Sequence, residues 1–325
     1  MEQVLSKKLN VVPQTVTQPN VSLTENRILI ISGPTATGKT DLAISLAKKF
    51  NGVLISADSR QIYQGLDVGT GKDHPKGFKI NLIDLITPDQ DFSVVQYQKL
   101  AFQKIIEIHS QNKLPIIVGG TGLYIDSIVN PDKSTYFIRP NKFLRFFFNK
   151  LSTSTLQRIY RLLDKKSFDS LNNSEQHNPH RLIRKIEIKL SGKDVINHIQ
   201  INKNNFNILH LSLTAPTSCL YPRIDTRVQK RLDIGLLDEI KNLLKKYSWS
   251  DPGLNTLAYK EFRDYFNHQK SLKDCVDVWR FDEHSYARRQ LTWFKKQTNL
   301  HFIDITKPKY LLLALDLVKK WYNLS

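Results

Sequence analysis

Eight consecutive residues have the types and spacing of a loop that cradles phosphate groups. They are Gly33, Pro34, Thr35, Ala36, Thr37, Gly38, Lys39 and Thr40. In such a loop the backbone N–H groups and the lysine bind phosphate oxygens, and the final hydroxyl residue holds Mg²⁺. The pattern therefore predicts that Lys39 binds a phosphate chain and that Thr40 is a magnesium ligand. It does not say which phosphate compound is bound.

Two further segments carry polar groups at the ends of predicted strands. Asp58 follows the apolar run 53–56, and we expect it to lie at the carboxyl end of the strand next to the cradle strand. In a P-loop kinase such an acid orients a substrate hydroxyl, although an isolated Asp is also a common cap. In the run 118–124, two glycines allow close approach of a ligand to the backbone, and Thr121 offers a hydroxyl there.

The ordered set of motifs resembles the tRNA dimethylallyltransferase family, whose members are also called tRNA isopentenyltransferases. The segments are GPTATGKT, ADSRQIYQGLDVGTGK, LIDLITPDQDFSVVQYQ, PIIVGGTGLYIDSI, RLIRKIEI, LNTLAYKEF and YARRQLTWFKK. The resemblance implies transfer of a dimethylallyl group from dimethylallyl diphosphate to N6 of adenine 37, in tRNAs that read codons starting with U. It also implies that the cradle holds the donor's diphosphate, which is the leaving group.

The resemblance assigns roles to residues around the cradle. Asp58 matches the acid that engages the adenine N6 amine, and Thr121 matches a threonine at the reaction channel. Lys39 and Mg²⁺ at Thr40 would stabilise the departing diphosphate. The segment that meets the flipped-out base is matched by Asp58, Ser59, Arg60 and Gln61.

Three other places match tRNA contacts of the family. The first is Arg145. The second is the run His177, Asn178, Pro179, His180 and Arg181, and the third is the run Thr256, Leu257, Ala258, Tyr259, Lys260 and Glu261. The chain departs from the family pattern at Asn178, usually Asp, at His180, often Gln, at Ala258, commonly Gly, and at Gly71, commonly Ala.

Aromatic residues alternate with basic ones just before these contacts. Phe143, Phe146 and Phe147 lie at helical spacing, which is more typical of core residues than of surfaces that stack on bases. We therefore expect them to pack internally, and base stacking is the alternative.

Strands that alternate with helices predict an α/β fold with a P-loop-type core, a parallel sheet flanked by helices. Predicted strands cover 27–32, 53–56 and 80–86, with a fourth in 114–124 that runs into a glycine-rich turn, and then 207–214 and 301–305. The ranges 27–134 and 204–325 are predicted to form the catalytic core with C-terminal helices. A basic helical tRNA-binding insertion is expected at 135–203, and a disordered tail at 1–26.

Composition supports a polyanionic partner. The chain of 325 residues has 48 Lys and Arg against 30 Asp and Glu, a net charge of +18. A generally lysine-rich proteome is the alternative explanation. Two cysteines imply no disulfide framework, and no apolar run has the length of a membrane span. We expect a monomer in the cytoplasm, or in an organelle, with tRNA, dimethylallyl diphosphate and Mg²⁺ as its partners.

Three other functions remain open from the sequence alone. An adenylate isopentenyltransferase of the cytokinin type would share the chemistry but not the tRNA contacts. A P-loop kinase of small metabolites would share the cradle and the acid after the strand. A non-catalytic RNA-binding protein would not need Lys39, Asp58 and Thr121 together.

Overall fold

A single parallel sheet carries the cradle. The computed structural model describes residues 26–72, 78–131, 141–191 and 206–323. The strands are β1 (Arg27–Ser32), β2 (Gly52–Ser56), β3 (Ile80–Asn81), β4 (Leu114–Gly119), β5 (Asn207–Thr214) and β6 (His301–Asp304), in the order β3-β2-β4-β1-β5-β6. The predicted α/β fold is therefore confirmed. Residues 1–25 of the predicted tail lie outside the described residues, as do the predicted domain boundaries at 134/135 and 203/204.

The central strand is buried on both faces because its side chains alternate between two apolar layers. Ile28 and Ile30 pack into one cluster, while Leu29 and Ile31 pack into the other. Both layers are fully excluded from water at these positions. The strand ends at Ser32, where the cradle begins.

Helices cover both faces of the sheet, and others follow it in the described parts of the chain. The first group is α1 (Lys39–Lys49), α2 (Val94–Ser110) and α3 (Gly122–Val129). The second is α4 (Lys142–Phe148), α5 (Thr153–Leu163), α6 (Lys165–Asp169), α7 (Asn173–Gln176) and α8 (Pro179–Leu190). The third is α9 (Thr217–Asp233), α10 (Leu236–Leu243), α11 (Arg263–Phe266), α12 (Leu272–Lys295) and α13 (Tyr310–Asn323). Within the described residues, no helix is long and apolar enough to cross a membrane.

Two expectations about the sheet were wrong. The strand predicted over 80–86 is regular only at Ile80–Asn81, with one isolated bridge between Ile86 and Tyr63, because Leu82 and Asp84 adopt positive φ angles of 61° and 56° that interrupt an extended backbone. The strand before Asp58 does not lie next to the cradle strand, because β4 pairs with both β1 and β2 and separates them. The two functional segments thus face each other across the end of β4.

The helices α4 to α8 have an apolar core of their own. Leu156, Tyr160, Phe168, Leu182 and Ile186 are its central members, and they are separate from the two clusters that flank the sheet. This separate core agrees with the predicted helical insertion, whose extent stays a prediction.

Candidate active site

The cradle has the backbone geometry of a phosphate-binding loop. Ala36 and Gly38 adopt left-handed φ angles of 64° and 80°, which turn the chain into α1. At Gly33 an added Cβ would lie 2.3 Å from the carbonyl oxygen of Leu213, so the loop must have glycine there. Thr37 donates its hydroxyl to the Pro34 carbonyl oxygen at 2.8 Å, and Lys39 donates its ammonium to the same oxygen at 2.6 Å.

Asp58 and its neighbours form a turn directly after β2. The Oδ1 atom of Asp58 accepts the backbone N–H of Arg60 at 2.9 Å, which fixes the carboxylate while leaving Oδ2 available. Gln61 accepts the Ser56 hydroxyl at 3.0 Å and donates to the Gly71 carbonyl at 3.3 Å. The Asp58 turn is thereby joined to the second glycine-rich turn of the chain, residues 67–72.

Thr121 holds the Asp58 turn in place from the end of β4. Its Oγ1 atom accepts the backbone N–H of Ser59 at 2.9 Å and lies 3.3 Å from the Ser59 hydroxyl. Thr121 also donates its own N–H to the Ala57 carbonyl at 3.0 Å. A Cβ on Gly119 would lie 2.2 Å from that carbonyl oxygen, so glycine is what lets the two segments approach.

These segments enclose a polar cavity of about 70 Å³ at the carboxyl ends of the strands. Lys39, Thr40 and Asp58 line it together, as the sequence predicted for residues of one site. Its other lining residues include Thr35, Arg60, Gln61, Arg227, Arg231 and Gln290. Thr121 is not among them and reaches the site through Ser59. A larger outer cavity of about 420 Å³ shares Lys39, Thr40 and Arg227 with the first one.

Arg60 lies beside Asp58 at the cavity, and its side chain is 14% exposed. Its guanidinium lies over the Tyr286 ring at 4.3 Å, with Glu283 at 3.8 Å and Asp58 at 3.9 Å. Burial alone would lower the pKa of Arg60, but Tyr286 and the two carboxylates outweigh it and raise that pKa above its usual value. The Nε atom is buried and has no hydrogen-bond partner in the described part of the chain, and it lies 3.9 Å from Oδ1 of Asp58.

Several residues that hold the site together were missed from the sequence. Gln290 accepts the Thr35 N–H at 2.9 Å and donates to the Gly120 carbonyl at 3.0 Å, so it joins the cradle to the end of β4. Glu239 accepts three successive N–H groups, those of Asp67, Val68 and Gly69, at 2.7–3.1 Å. Gln290 lies in a motif segment and could have been found. No sequence signal distinguishes Glu239, because the turn it binds is 170 positions away.

The second glycine-rich turn of the chain is 67–72, and the sequence there suggests that Thr70 and Lys72 extend a polar pocket. Thr70 lines the cavity, as its position in a turn suggested. Lys72 does not, because its side chain is fully buried and donates to the Tyr63 carbonyl and Asp67 at 2.7 Å, and to Asp84. Lys72 therefore links the segments that contain Tyr63, Asp67 and Asp84 by hydrogen bonds.

The residues that match tRNA contacts fall into two groups by exposure. His177, His180 and Arg181 are exposed at the start of α8, where Asn178 caps the helix by accepting the Arg181 N–H at 3.1 Å and Pro179 occupies the first turn. In the second run Thr256 is half-buried and Lys260 is exposed, whereas Leu257, Ala258, Tyr259 and Glu261 are buried. Those four side chains support the surface from below.

The expectation that the three phenylalanines of α4 pack internally was wrong. Phe143, Phe146 and Phe147 are 71%, 59% and 48% exposed. Phe147 contacts the other two edge-on, with ring centroids 4.8 Å and 5.4 Å away, and Lys150 lies over the Phe146 ring at 4.1 Å. Helix α4 is short and its few apolar side chains cannot all face the small core beneath it. We call Phe143, Phe146 and Phe147 the aromatic patch.

The cradle has oxygen ligands suitable for Mg²⁺. Thr40 lines both cavities, and its hydroxyl has no hydrogen-bond partner among the described residues. Asp58 lines the inner cavity and Asp41 the outer one, so hard oxygen donors surround the lysine. The described residues contain no cluster of three or more His, Cys, Asp or Glu side chains that could hold a metal unaided. This fits an ion that takes most of its ligands from substrate phosphates and water.

The fold and this site place the chain among α/β proteins with a P-loop-type cradle. A family model described as IPP transferase matches residues 61–297. The chain is similar to tRNA dimethylallyltransferases from Roseiflexus sp. strain RS-1, with 33% identity over 91% of this chain and 99% of the relative, and from Acetivibrio thermocellus, with 37% identity over 86% and 92%. The chain belongs to the IPP transferase family, which confirms the resemblance read from its motifs.

Solved structures show the same relationship. The fold is similar to that of the full-length tRNA isopentenylpyrophosphate transferase of Bacillus halodurans, with a TM-score of 0.68, 31% identity and coverage of 91% of this chain and 97% of that one. A eukaryotic dimethylallyltransferase acting on tRNA has a TM-score of 0.74 at 23% identity, over 91% and 79% of the two chains. At that identity the second comparison shows a shared fold.

Proposed function

We propose that this protein transfers a dimethylallyl group from dimethylallyl diphosphate to N6 of adenine 37 in tRNAs that read codons starting with U. The observation that carries the proposal is the shared cavity, in which Asp58 faces the phosphate cradle residues Lys39 and Thr40. A leaving-group site and a proton acceptor on opposite sides of one cavity suit an alkyl transfer to an amine. We also propose that the protein acts as a monomer in the cytoplasm.

Asp58 is proposed to accept the proton of the acceptor amine. An exocyclic adenine amine is a poor nucleophile because its lone pair is delocalised into the ring. As N6 forms a bond to the first prenyl carbon, the bond from that carbon to the diphosphate oxygen breaks, and the proton passes to the carboxylate. The backbone N–H of Arg60 at 2.9 Å and Thr121, acting through Ser59, keep this carboxylate in position.

The cradle is proposed to stabilise the leaving diphosphate. Negative charge increases on the departing oxygens, and Lys39, Arg227 and the cradle N–H groups line the cavity where those oxygens would lie. Arg227 is held there by a hydrogen bond from Nη1 to the Thr35 hydroxyl at 3.3 Å. When Mg²⁺ is bound at Thr40, it neutralises part of the same charge.

The exposed basic residues are proposed to bind the anticodon stem-loop. His177, His180, Arg181 and Lys260 are exposed, and the buried side chains of the 256–261 run support Lys260. The aromatic patch offers flat faces to unpaired bases beside Lys142 and Lys150. Arg60 and Gln61, at the cavity, are proposed to contact the flipped-out adenine.

A transfer assay tests this function. The purified protein is incubated with Mg²⁺, dimethylallyl diphosphate labelled in the prenyl group, and unmodified tRNA bearing A36-A37-A38, with AMP as a parallel acceptor. We expect label on adenine 37 and little in AMP. Label in AMP alone would indicate an adenylate isopentenyltransferase, and ATP-dependent phosphorylation without prenyl transfer would indicate a kinase.

Asp58 provides the sharper test of mechanism. The change Asp58→Asn keeps an oxygen for the Arg60 N–H but removes the proton acceptor. We expect turnover to fall by about 10²–10⁴-fold, with tRNA affinity changed by less than about twofold. Asp316→Asn, at a side chain on α13 that is 55% exposed and lines neither cavity, is the matched control and retains most of the activity. Unchanged turnover in Asp58→Asn would overturn the assignment of the base.

A further inference from the structure

Two arginines one helical turn apart on α9 face the inner cavity. Arg227 and Arg231 both line it, together with Arg60 and Lys39. Arg231 is 11% exposed, and its Nη1 atom donates to the Gly69 carbonyl at 3.1 Å and to Glu283 at 3.3 Å. Like charges at this spacing repel each other, so the arrangement needs a compensating group. Glu283 is also the carboxylate nearest to Arg60, at 3.8 Å, and is therefore shared.

Gly71 makes the room that the Arg231 side chain occupies. A Cβ at Gly71 would lie 2.3 Å from Nη2 of Arg231 and 3.2 Å from Nη2 of Arg227. Gly71 is one of the positions where this chain departs from the family pattern, which commonly has Ala. The departure is explained by the guanidinium, because an alanine methyl group and Arg231 cannot occupy the same space.

The charges that line the cavity do not balance. Among the described residues, four cationic side chains line the cavity, those of Lys39, Arg60, Arg227 and Arg231. The carboxylate of Asp58 lines it with them, and Glu283 pairs with Arg60 and Arg231. Burial first, and the charge of Arg227 second, lower the pKa of Arg231 from its usual value to about 10. A buried excess of positive charge is stabilised by a multiply charged anion bound within it.

We propose that Arg231 is an additional ligand for the diphosphate of the prenyl donor, admitted by Gly71 and held in place by Glu283 and the Gly69 carbonyl. The inference rests on the proposed function, because it places the donor's diphosphate in this cavity. Arg231 supplies hydrogen-bond donors to the phosphate oxygens from the side opposite the cradle. It strengthens binding of the donor and also of the diphosphate product.

Binding of inorganic diphosphate tests this role without tRNA or prenyl transfer. Affinity is measured by calorimetry in the presence of Mg²⁺ for the unchanged protein, Arg231→Met and Arg231→Lys. We expect Arg231→Met to weaken binding by about 10- to 100-fold, because it removes charge-assisted hydrogen bonds while keeping a side chain of similar length. Arg231→Lys retains part of the affinity. Equal affinity in Arg231→Met would overturn the proposal, even where prenyl transfer is intact.

Gly71 supplies a coupled test. Gly71→Ala in the unchanged protein displaces the guanidinium, and we expect it to weaken diphosphate binding by about 10-fold. In the Arg231→Met background the guanidinium at 2.3 Å is gone and Nη2 of Arg227 at 3.2 Å remains, so the same change weakens affinity by less than about threefold. Independent, additive effects of the two changes would contradict the proposed contact.

Measurements of stability distinguish a structural role of Arg231 from a role in binding diphosphate. Arg231→Met leaves the buried Glu283 with a weaker set of partners, so Arg231→Met/Glu283→Gln is compared with Glu283→Gln alone to keep the fold intact. We expect the loss of diphosphate affinity to persist in that pair. A lowered melting temperature with unchanged affinity would overturn the inference, and absence of diphosphate binding by the unchanged protein would overturn it together with the proposed donor site.

Discussion

Glu261 is a buried carboxylate whose protonation is coupled to folding. Its side chain is 1% exposed, and Oε2 accepts the Ala258 N–H at 2.8 Å. Burial raises the pKa of Glu261 from 4.5 to about 7, although backbone N–H groups and Lys260, 3.6 Å away, act in the opposite direction. The folded protein therefore takes up a proton near neutral pH, whereas the unfolded chain takes it up only near pH 4.5.

The sign of the resulting pH dependence follows from this difference. Between about pH 4.5 and 7 the folded state holds more protons at Glu261, so this residue makes the free energy of unfolding fall as pH rises through that window. We expect Glu261→Gln to be more stable than the unchanged protein above pH 7, by roughly 3 kcal/mol at most, and equal to it below pH 4.5. Urea unfolding at pH 5 and pH 8 measures the effect.

The same Glu-to-Gln substitution at an exposed position is the control for the chemical change itself. Glu107→Gln on α2 makes the same substitution at a side chain that is 54% exposed. It is expected to shift the unfolding free energy by less than about 1 kcal/mol at both pH values. A Glu261→Gln curve parallel to that of the unchanged protein from pH 5 to pH 8 would show that Glu261 stays ionised.

At two positions the chain departs from the family pattern, and the structure shows the local environment of each residue. Ala258 is buried and adopts a φ angle of 79°, a conformation that favours the glycine commonly found there. Gly71 adopts a φ of 61° and faces Arg231. The sequence identified both positions as unusual. It could not supply the reasons, because these depend on a backbone angle and on a side chain 160 residues away.

At the scale of elements, α4 is joined to α8 by one ion pair. Arg145 makes a two-point contact with Glu187, from Nε to Oε1 at 2.7 Å and from Nη2 to Oε2 at 2.9 Å. Glu187 is 1% exposed and also accepts the Asn141 N–H at 3.0 Å. Arg145 was predicted from the resemblance to contact tRNA, and that role stays a prediction. The guanidinium already has a structural partner that orients it.

Loss of this pair is expected to loosen the attachment of α4. Arg145→Ala removes two charge-assisted bonds, but Arg184 at 3.3 Å and the Asn141 N–H still compensate Glu187. We expect a loss of about 1–3 kcal/mol in the stability of the α4–α8 group, measured by hydrogen exchange of the α4 amides. The control Lys185→Ala breaks a pair at 3.9 Å on α8 and should cost less than about 1 kcal/mol.

The same variant separates a structural contact from a direct one. If Arg145 acted only on RNA phosphate, Arg145→Ala would reduce the salt dependence of tRNA binding by about one unit and leave amide exchange unchanged. Faster exchange in α4 with an unchanged salt slope is what the ion pair with Glu187 predicts.

Across the whole molecule, local patterns were enough to place the sheet and the cradle. The apolar runs at β1, β4 and β5 were readable, because short buried strands have strong local signals. The order of strands was not readable, since the insertion of β4 between β1 and β2 depends on crossovers. A supporting residue such as Glu239 acts on a loop distant in sequence, and therefore carries no recognisable pattern by itself.

Positive charge is concentrated in the range 141–191, which is proposed to bind tRNA. The net charge is +18, and the range 141–191 holds eleven Lys and Arg side chains against four carboxylates. Neutralisation of several phosphates makes the affinity for tRNA fall steeply with salt. The aromatic patch lies among these charges, and its proposed stacking on bases would contribute free energy that does not depend on released counterions.

Phe143→Ala distinguishes stacking from charge. We expect it to weaken tRNA binding by about 5- to 100-fold at every salt concentration, because loss of one stacked base costs about 1–3 kcal/mol while the slope of log affinity against log salt is unchanged. Arg181→Ala should instead reduce that slope by about one. Leu312→Ala, on α13 with 59% exposure, controls for loss of an exposed apolar side chain and should leave affinity unaltered. A Phe143→Ala protein that binds tRNA as tightly as the unchanged one would remove the aromatic patch from the RNA interface.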